Sequence, residues 1–230
     1  MGILYIVGTP IGNLEDITMR ALRILREVDV IFCEDTRVTA RLLKRYNITK
    51  PLKQFNAHTR VSGFQNLASS LQSIAYVSDA GTPGLSDPGA ELVRASLALG
   101  FEVVSVPGPS AISAIISLSD TTITSFTFHG FPPHKKGRET LFKQIALSLS
   151  GPSAKSDRSM GLAEIFYESP NRIVKALTQL EKYAPDRRVL VGRELTKKFE
   201  EVLRGTVTEV RTLLESDPSK QRGEFVVLVL

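Results

Sequence analysis

The chain has 230 residues, 42% of them hydrophobic and 23% charged, with 16 Gly, 12 Pro, one Cys and no Trp. That composition excludes whole-chain disorder, a collagen-like repeat and a disulfide-stapled fold, and the length suits one large α/β domain or two smaller ones. A formal net charge of +5 is by itself too small to imply a nucleic-acid partner.

Residues 4–7 read as a strand, and the segment from Met1 onward has neither the basic flank nor the cleavage site of a signal peptide. With no run approaching the roughly 18 to 20 apolar residues of a membrane span, the expectation is a chain neither anchored nor secreted. Gly8-Thr9-Pro10-Ile11-Gly12-Asn13 follows as a loop, then a helix over 17–27 with Ile17, Ala21, Ile24, Leu25 and Val28 on one face. Residues 30–33 form the next strand. It ends in Cys33, which cannot form an internal disulfide and has no His beside it, so it reads as a small buried apolar residue in a reducing, cytoplasmic setting. Glu34-Asp35 either caps the basic helix over 38–46 or presents a carboxylate as proton acceptor or substrate contact.

A strand over 74–78 leads into Asp79-Ala80-Gly81-Thr82-Pro83-Gly84, and Asp87-Pro88 opens a helix that Gly100 closes. After a strand over 103–106 come the turn Pro107-Gly108-Pro109 and Ser110, an N-cap for a helix over 111–119. The short polar residues 119–125 place a domain boundary between 1–120 and 121–230. Beyond it the order is strand 126–129, helix 139–149, strand 164–167, a helix over 171–182 capped by Ser169-Pro170, strands 188–192 and 201–204, a helix opened by the capping box of Thr206 and Glu209, and strand 224–230. The first half reads as βα units around a parallel sheet, the second as a mixed sheet. Residues 148–161 have the composition of a loop or insertion.

Charge is segregated along this order. Residues 1–120 carry 11 basic and 11 acidic side chains, and residues 121–230 carry 18 and 13. Between Thr36 and Ser78 there is no acid, while Arg37, Arg41, Lys44, Arg45, Lys50, Lys53 and Arg60 supply +7. A second acid-free run is His134, Lys135, Lys136, Gly137 and Arg138. Each run is either a solvated surface or a contact for phosphates.

Three turns, 8–13, 79–89 and 107–111, follow predicted strands, where open α/β sheets bind ligands through backbone N–H groups. Each alone could be plain turn chemistry. The sequence has no GxxxxGK[ST], and Gly8-x-x-x-Gly12 misses the GxGxxG spacing, which disfavours nucleotide hydrolysis and NAD binding. One Cys and three scattered His (His58, His129, His134) give no zinc-ligand pattern, so no metal is expected and the histidines read as structural or surface residues.

Five segments in order carry a resemblance: Leu4-Tyr5-Ile6-Val7-Gly8-Thr9-Pro10-Ile11-Gly12-Asn13-Leu14-Glu15-Asp16-Ile17-Thr18, Cys33-Glu34-Asp35-Thr36-Arg37, Val77-Ser78-Asp79-Ala80-Gly81-Thr82-Pro83-Gly84-Leu85-Ser86-Asp87-Pro88-Gly89, Val106-Pro107-Gly108-Pro109-Ser110-Ala111, and Phe166-Tyr167-Glu168-Ser169-Pro170-Asn171-Arg172. Together they resemble the RsmI-type small-subunit rRNA (cytidine-2′-O)-methyltransferases of the tetrapyrrole methylase superfamily, from the first strand to Leu230. The resemblance implies a class III S-adenosylmethionine (SAM) methyltransferase of two α/β domains with the cofactor in the cleft between them. It further implies a homodimer that methylates a ribose in the decoding region of 16S rRNA on the small ribosomal subunit.

By the same resemblance, Pro10, Asp79, Gly81, Thr82, Ser110, Ala111, Tyr167 and Glu168 are the cofactor-binding positions. Phe131-Pro132-Pro133-His134-Lys135 departs from the family's Gly-Phe-Leu-Pro-like stretch, residues 148–161 look longer than usual, and many relatives continue past Leu230 into a short helical tail.

In-line methyl transfer is mainly a matter of orientation, but a ribose 2′-OH is a poor nucleophile until deprotonated, and a base typically contributes about 10²- to 10⁴-fold. Candidates for that base or for a polarising cation are Glu34, Asp35, Glu194 and Lys197. Arg37, Arg41, Lys44, Arg45, Lys135, Lys136 and Arg138 are the candidates for RNA phosphates. Two rival readings are a methylase of a small tetrapyrrole and a non-catalytic RNA-binding protein of the same fold.

Overall fold

The computed structural model describes residues 2–55, 64, 70–85, 87, 89–149 and 161–230. His58, Arg60, Ser86, Pro88 and most of the expected 148–161 loop lie outside the described residues. The chain divides into two compact units, Met1–Ser110 and Ala111–Leu230.

The first unit is a five-stranded sheet in the order β3-β2-β4-β1-β5, from β1 (Ile3–Val7), β2 (Val30–Cys33), β3 (Leu52–Gln54), β4 (Ser73–Val77) and β5 (Glu102–Val106). Every pairing is parallel, as the alternation of strand and helix in the sequence predicts. Strand residues alternate between two cores. Val7, Ile31, Cys33, Ala75, Val77 and Val106 meet the apolar faces of α1 (Met19–Glu27) and α2 (Thr36–Arg45), while Leu4, Val30, Phe32, Ile74 and Tyr76 meet Leu92 and Ala95 of α3 (Gly89–Ala98). Both faces are covered, which is why these strands read as nearly unbroken apolar runs.

Local chemistry sets the ends of these elements. The Thr18 hydroxyl accepts the Ala21 N–H at 3.0 Å, so α1 starts at Met19 and not at the expected residue 17, and a short 3₁₀ turn over Leu14–Asp16 precedes it. Gly100 ends α3 at φ +78°, with the Phe101 N–H reaching back to the Ser96 carbonyl at 3.0 Å. Strand β3 escapes the sequence reading because it is a three-residue edge strand with two exposed positions.

The second unit is a sheet in the order β6-β7-β10-β8-β9, from β6 (Ile123–Phe128), β7 (Gly161–Glu168), β8 (Arg188–Arg193), β9 (Glu201–Thr206) and β10 (Phe225–Val229). Only β6 and β7 pair in parallel, so the sheet is mixed, as the sequence predicts. One face packs on α5 (Arg138–Ser148), α6 (Ile173–Glu181) and α7 (Val207–Ser216), whose capping box of Thr206 and Glu209 is formed. The other face packs on α4 (Ala111–Ser117). Ile112 and Ile115 of α4 are buried against Leu190, Val226 and Leu228, so this helix belongs to the second unit although the polar stretch that suggested a boundary follows it. The predicted caps Ser169-Pro170 sit one turn ahead of α6, whose first residue is Ile173. Among the described residues no helix is long and apolar enough to cross a membrane.

Candidate active site

In the first unit the carboxyl ends of β1, β4 and β5, which are neighbours in the sheet, hold three of the loops singled out from sequence. Thr9 and Gly81 form a two-bond bridge, Thr9 N–H to Gly81 O at 2.9 Å and Gly81 N–H to Thr9 O at 3.1 Å. The buried Thr9 hydroxyl donates to the carbonyls of Ser78 and Gly81, and the Thr82 hydroxyl donates to Pro109 O at 3.3 Å. Gly81 adopts φ +81°, which favours a residue without a Cβ. Pro10, Asp79, Gly81, Thr82 and Ser110 therefore share one end of the sheet, with Pro10 and Gly81 buried and Asp79 exposed.

Beside these loops, at the end of β2, stands a group of carboxylates. Glu34 Oε1 accepts the Asp79 N–H at 3.3 Å, and Asp79 Oδ1 accepts the Asp35 N–H at 3.1 Å. Burial pushes the Glu34 carboxyl up and the Asp79 N–H opposes this, but the neighbouring Asp79 and Asp87 charges add to the rise, so Glu34 titrates above the usual carboxylate range. Loss of hydration raises Asp79 as well.

Asp35 is different. Its carboxylate caps α2 by accepting the Arg37 N–H at 2.8 Å and pairs with the Arg37 guanidinium at 2.6 Å, which holds it down at about 2. The ambiguity left by the sequence resolves by position: Asp35 is the cap, and Glu34 carries the carboxylate with a raised affinity for protons. Asp35 is thereby committed to the start of α2 and to Arg37.

In the second unit β7 ends in Tyr167 and Glu168. Tyr167 is half-buried between the rings of Phe128 and Phe131, at centroid distances of 4.9 and 5.5 Å, and burial raises its hydroxyl. The Glu168 side chain is fully buried. Its two oxygens take the Arg138 and Arg172 guanidinium groups, both at 2.7 Å, and the Ser169 N–H at 2.8 Å. The two arginines also donate to the carbonyls of Pro133 and Pro132.

One sequence expectation is corrected here. Arg138 is not a surface cation for RNA: it is 2% exposed and committed to Glu168, Gln179 and Pro133. The Glu168 carboxylate is engaged by two cations and a backbone N–H. Lys135 and Lys136 are exposed, as are Arg37, Arg41, Lys44 and Arg45 on α2.

Glu194 and Lys197 sit in the turn between β8 and β9. Lys197 Nζ lies 2.9 Å from Glu194 Oε1 and 2.7 Å from Glu224 Oε2, and Glu194 Oε1 also accepts the Glu224 N–H at 2.9 Å. Burial would raise Glu194, but these partners outweigh it and hold it below the usual range. Burial would lower Lys197, and the two carboxylates reverse that. The pair is a strut that fixes the turn, with Glu194 Oε1 shared between the Lys197 ammonium and the Glu224 N–H.

A family model described as Tetrapyrrole (Corrin/Porphyrin) Methylases matches residues 3–211. The chain belongs to the tetrapyrrole methylase family. Among similar proteins, the ribosomal RNA small subunit methyltransferase I of Borrelia garinii is 44% identical over 229 residues, covering 98% of this chain and 97% of the relative. The protein of that name from Thermotoga maritima is 42% identical over 232 residues, covering 100% and 98%. Among solved structures, the methyltransferase CobJ matches with a TM-score of 0.68 at 20% identity, over 100% of this chain and 94% of that one. The uroporphyrin-III-C-methyltransferase from Thermus thermophilus matches with 0.65 at 16%, over 100% and 94%. These two share the fold.

Within this tetrapyrrole methylase chain, several residues that shape the site have no role in the sequence reading. Arg172 was legible, since Glu168 and Arg172 stand four apart and their side chains meet. Thr9 was not, because a hydroxyl that clasps a loop 69 residues away leaves no local signal.

Proposed function

We propose that the chain is a SAM-dependent methyltransferase that acts on the ribose 2′-hydroxyl of a cytidine in 16S rRNA of the small ribosomal subunit, working as a cytoplasmic homodimer. The observation that carries this reading is likeness at 42–44% identity, over essentially the whole chain, to proteins named for small-subunit rRNA methylation.

The strand-end loops fit the cofactor chemically. Exposed Asp79 offers an acceptor for hydroxyl or amino hydrogens, and the clasped backbones around Gly81 and Thr82 offer polar groups at a fixed spacing. The carboxylates of Glu34, Asp79 and Asp87 also suit a group that carries positive charge. Pro10, Asp79, Gly81, Thr82, Ser110, Ala111 and Tyr167 are the positions proposed to hold it. When bound, SAM supplies an electrophilic methyl group on a sulfonium.

The chain's own work is to orient and to accept a proton. Glu34 is the proposed acceptor for the 2′-OH proton, because its raised pKa brings it nearer to working pH than an ordinary carboxylate. The exposed cations Arg37, Arg41, Lys44, Arg45, Lys135 and Lys136 are proposed to bind phosphates, which gives affinity and register without base readout.

The test is transfer from labelled SAM to small subunits, to naked 16S rRNA or to a tetrapyrrole, followed by alkaline hydrolysis. Label in an alkali-resistant cytidine dinucleotide is the expected result. Label on the tetrapyrrole, or on no RNA at all, overturns the proposal.

A further inference from the structure

The turn between β8 and β9 is built at a conformational cost that the strut within it does not explain. Glu194 and Thr196 adopt φ +50° and +68°, and they are two of the three described non-glycine residues with positive φ. The turn is held in that shape from several sides. Arg193 donates to the carbonyls of Arg222 at 2.8 Å and of Phe199 and Ser219 at 3.3 Å. Glu201 neutralises both Arg193 and Lys220. What this scaffold presents is exposed: the Phe199 side chain stands out at 64% exposure, with Lys198 Nζ 5.6 Å from its ring centroid.

Phe199 borders a hollow of about 470 Å³ whose other walls include the cations Arg193, Lys220 and Arg222 and the acids Glu194, Glu201 and Asp217. Phe199 is its one large apolar group, so the hollow is not an apolar groove for a protein helix. Most charges here are already matched: Lys197 by Glu194 and Glu224, and Arg193 and Lys220 by Glu201. Among the described residues Lys198 and Arg222 have no carboxylate partner. An exposed aromatic face beside two such cations is what an unpaired nucleotide requires, a surface for its base and positive charge for its phosphate.

We propose that Phe199 is a stacking platform for an unpaired base of the RNA substrate, with Lys198 and Arg222 on the adjoining phosphates. This rests on the rRNA reading above and adds a place where one nucleotide is gripped.

The chain has no tryptophan, so Phe199→Trp creates a single fluorescent reporter at the platform. Its emission is expected to fall saturably as 16S rRNA is titrated in, and Lys198→Ala with Arg222→Ala to shift that titration to higher RNA concentration. Phe199→Ala is expected to weaken rRNA binding about 5- to 150-fold, the range for loss of one stacked base, with thermal midpoint, SAM affinity and turnover at saturating RNA unchanged; Phe199→Tyr restores the binding.

Two results overturn the inference while leaving the function standing. One is wild-type methyl transfer to RNA together with unquenched emission from the Phe199→Trp reporter. The other is a Phe199→Ala defect that appears only with protein-containing subunits and not with naked rRNA, which would make the platform a protein contact. If the wild-type chain methylates no RNA and the reporter's emission is unmoved by it, both readings fall.

Discussion

Gly8 and Gly108 face each other so closely that a Cβ on either would lie 2.7 Å from the backbone of the other. The ends of β1 and β5 thus meet backbone to backbone, and the Thr9–Gly81 bridge ties β4 to the same point. Gly108→Ala is expected to lower stability by about 1–3 kcal/mol, the range for overpacking. SAM affinity should fall further than stability does, because the added methyl group forces the loops apart. Denaturant titration and calorimetric binding on the same sample compare the two.

Glu34→Gln keeps an acceptor for the Asp79 N–H but cannot take a proton. Turnover is expected to fall about 10²- to 10⁴-fold with SAM affinity retained. The pH profile carries a second signature: in the wild type the acid limb of kcat/KM lies above the ordinary carboxylate range, since Glu34 must lose its proton to act.

The same raised value makes a stability prediction of opposite sign to activity. A carboxyl that binds its proton more tightly when folded favours the fold fully below its unfolded pKa, and that contribution is lost as pH rises through the folded one. Glu34→Gln should therefore be the more stable protein at pH 8 and gain nothing in acid. Thermal melts across pH read this out.

Asp35 behaves in the reverse sense. Its pKa falls from 3.8 to about 2 on folding, so its contribution is complete above about 4 and fades as pH drops toward 2. Asp35→Asn retains the cap on α2 and is expected to turn over at close to the wild-type rate, in contrast to Glu34→Gln.

Glu168 answers the guanidinium groups of both Arg138 and Arg172, so removing it strands two cations. Glu168→Ala is expected to lower stability by about 3–5 kcal/mol, and Arg138→Ala, which leaves Glu168 paired with Arg172, by less, with the salt dependence of RNA binding unchanged in both. Neutralising Arg37, Arg41, Lys44 and Arg45 together should do the opposite, reducing the slope of log affinity against log salt by roughly 0.7 for each lost phosphate contact to single-stranded RNA.

These contrasts mark what was legible in the sequence. The parallel sheet, the mixed sheet, the capping box at Thr206 and the loops after β1, β4 and β5 follow from local patterns, because apolar periodicity and turn residues act over a few positions. The state of a charged side chain does not. Arg138 lies in a run with Lys135 and Lys136 and shares their composition, yet it is buried on Glu168 while they face solvent. Glu34 and Asp35 are adjacent in sequence, and their opposite pKa shifts come from Asp79, brought over by β4, and from Arg37, two residues on. Helix α4 went to the second unit because its apolar residues match that sheet, which no reading of the polar stretch after it could reveal.

The order β3-β2-β4-β1-β5 also fixes when the proposed cofactor platform can come into existence. Its parts are made first and last: Gly8 and Thr9 leave the ribosome early, but Gly81 and Gly108 follow some 70 and 100 residues later. Strand β1 must wait for β4 to slot between it and β2, and for β5 to close its other edge, before the loops can touch. Such long-range parallel pairing is slow to form. A cofactor held on that proposed platform would bind only the finished fold of this unit and draw the population toward it by mass action.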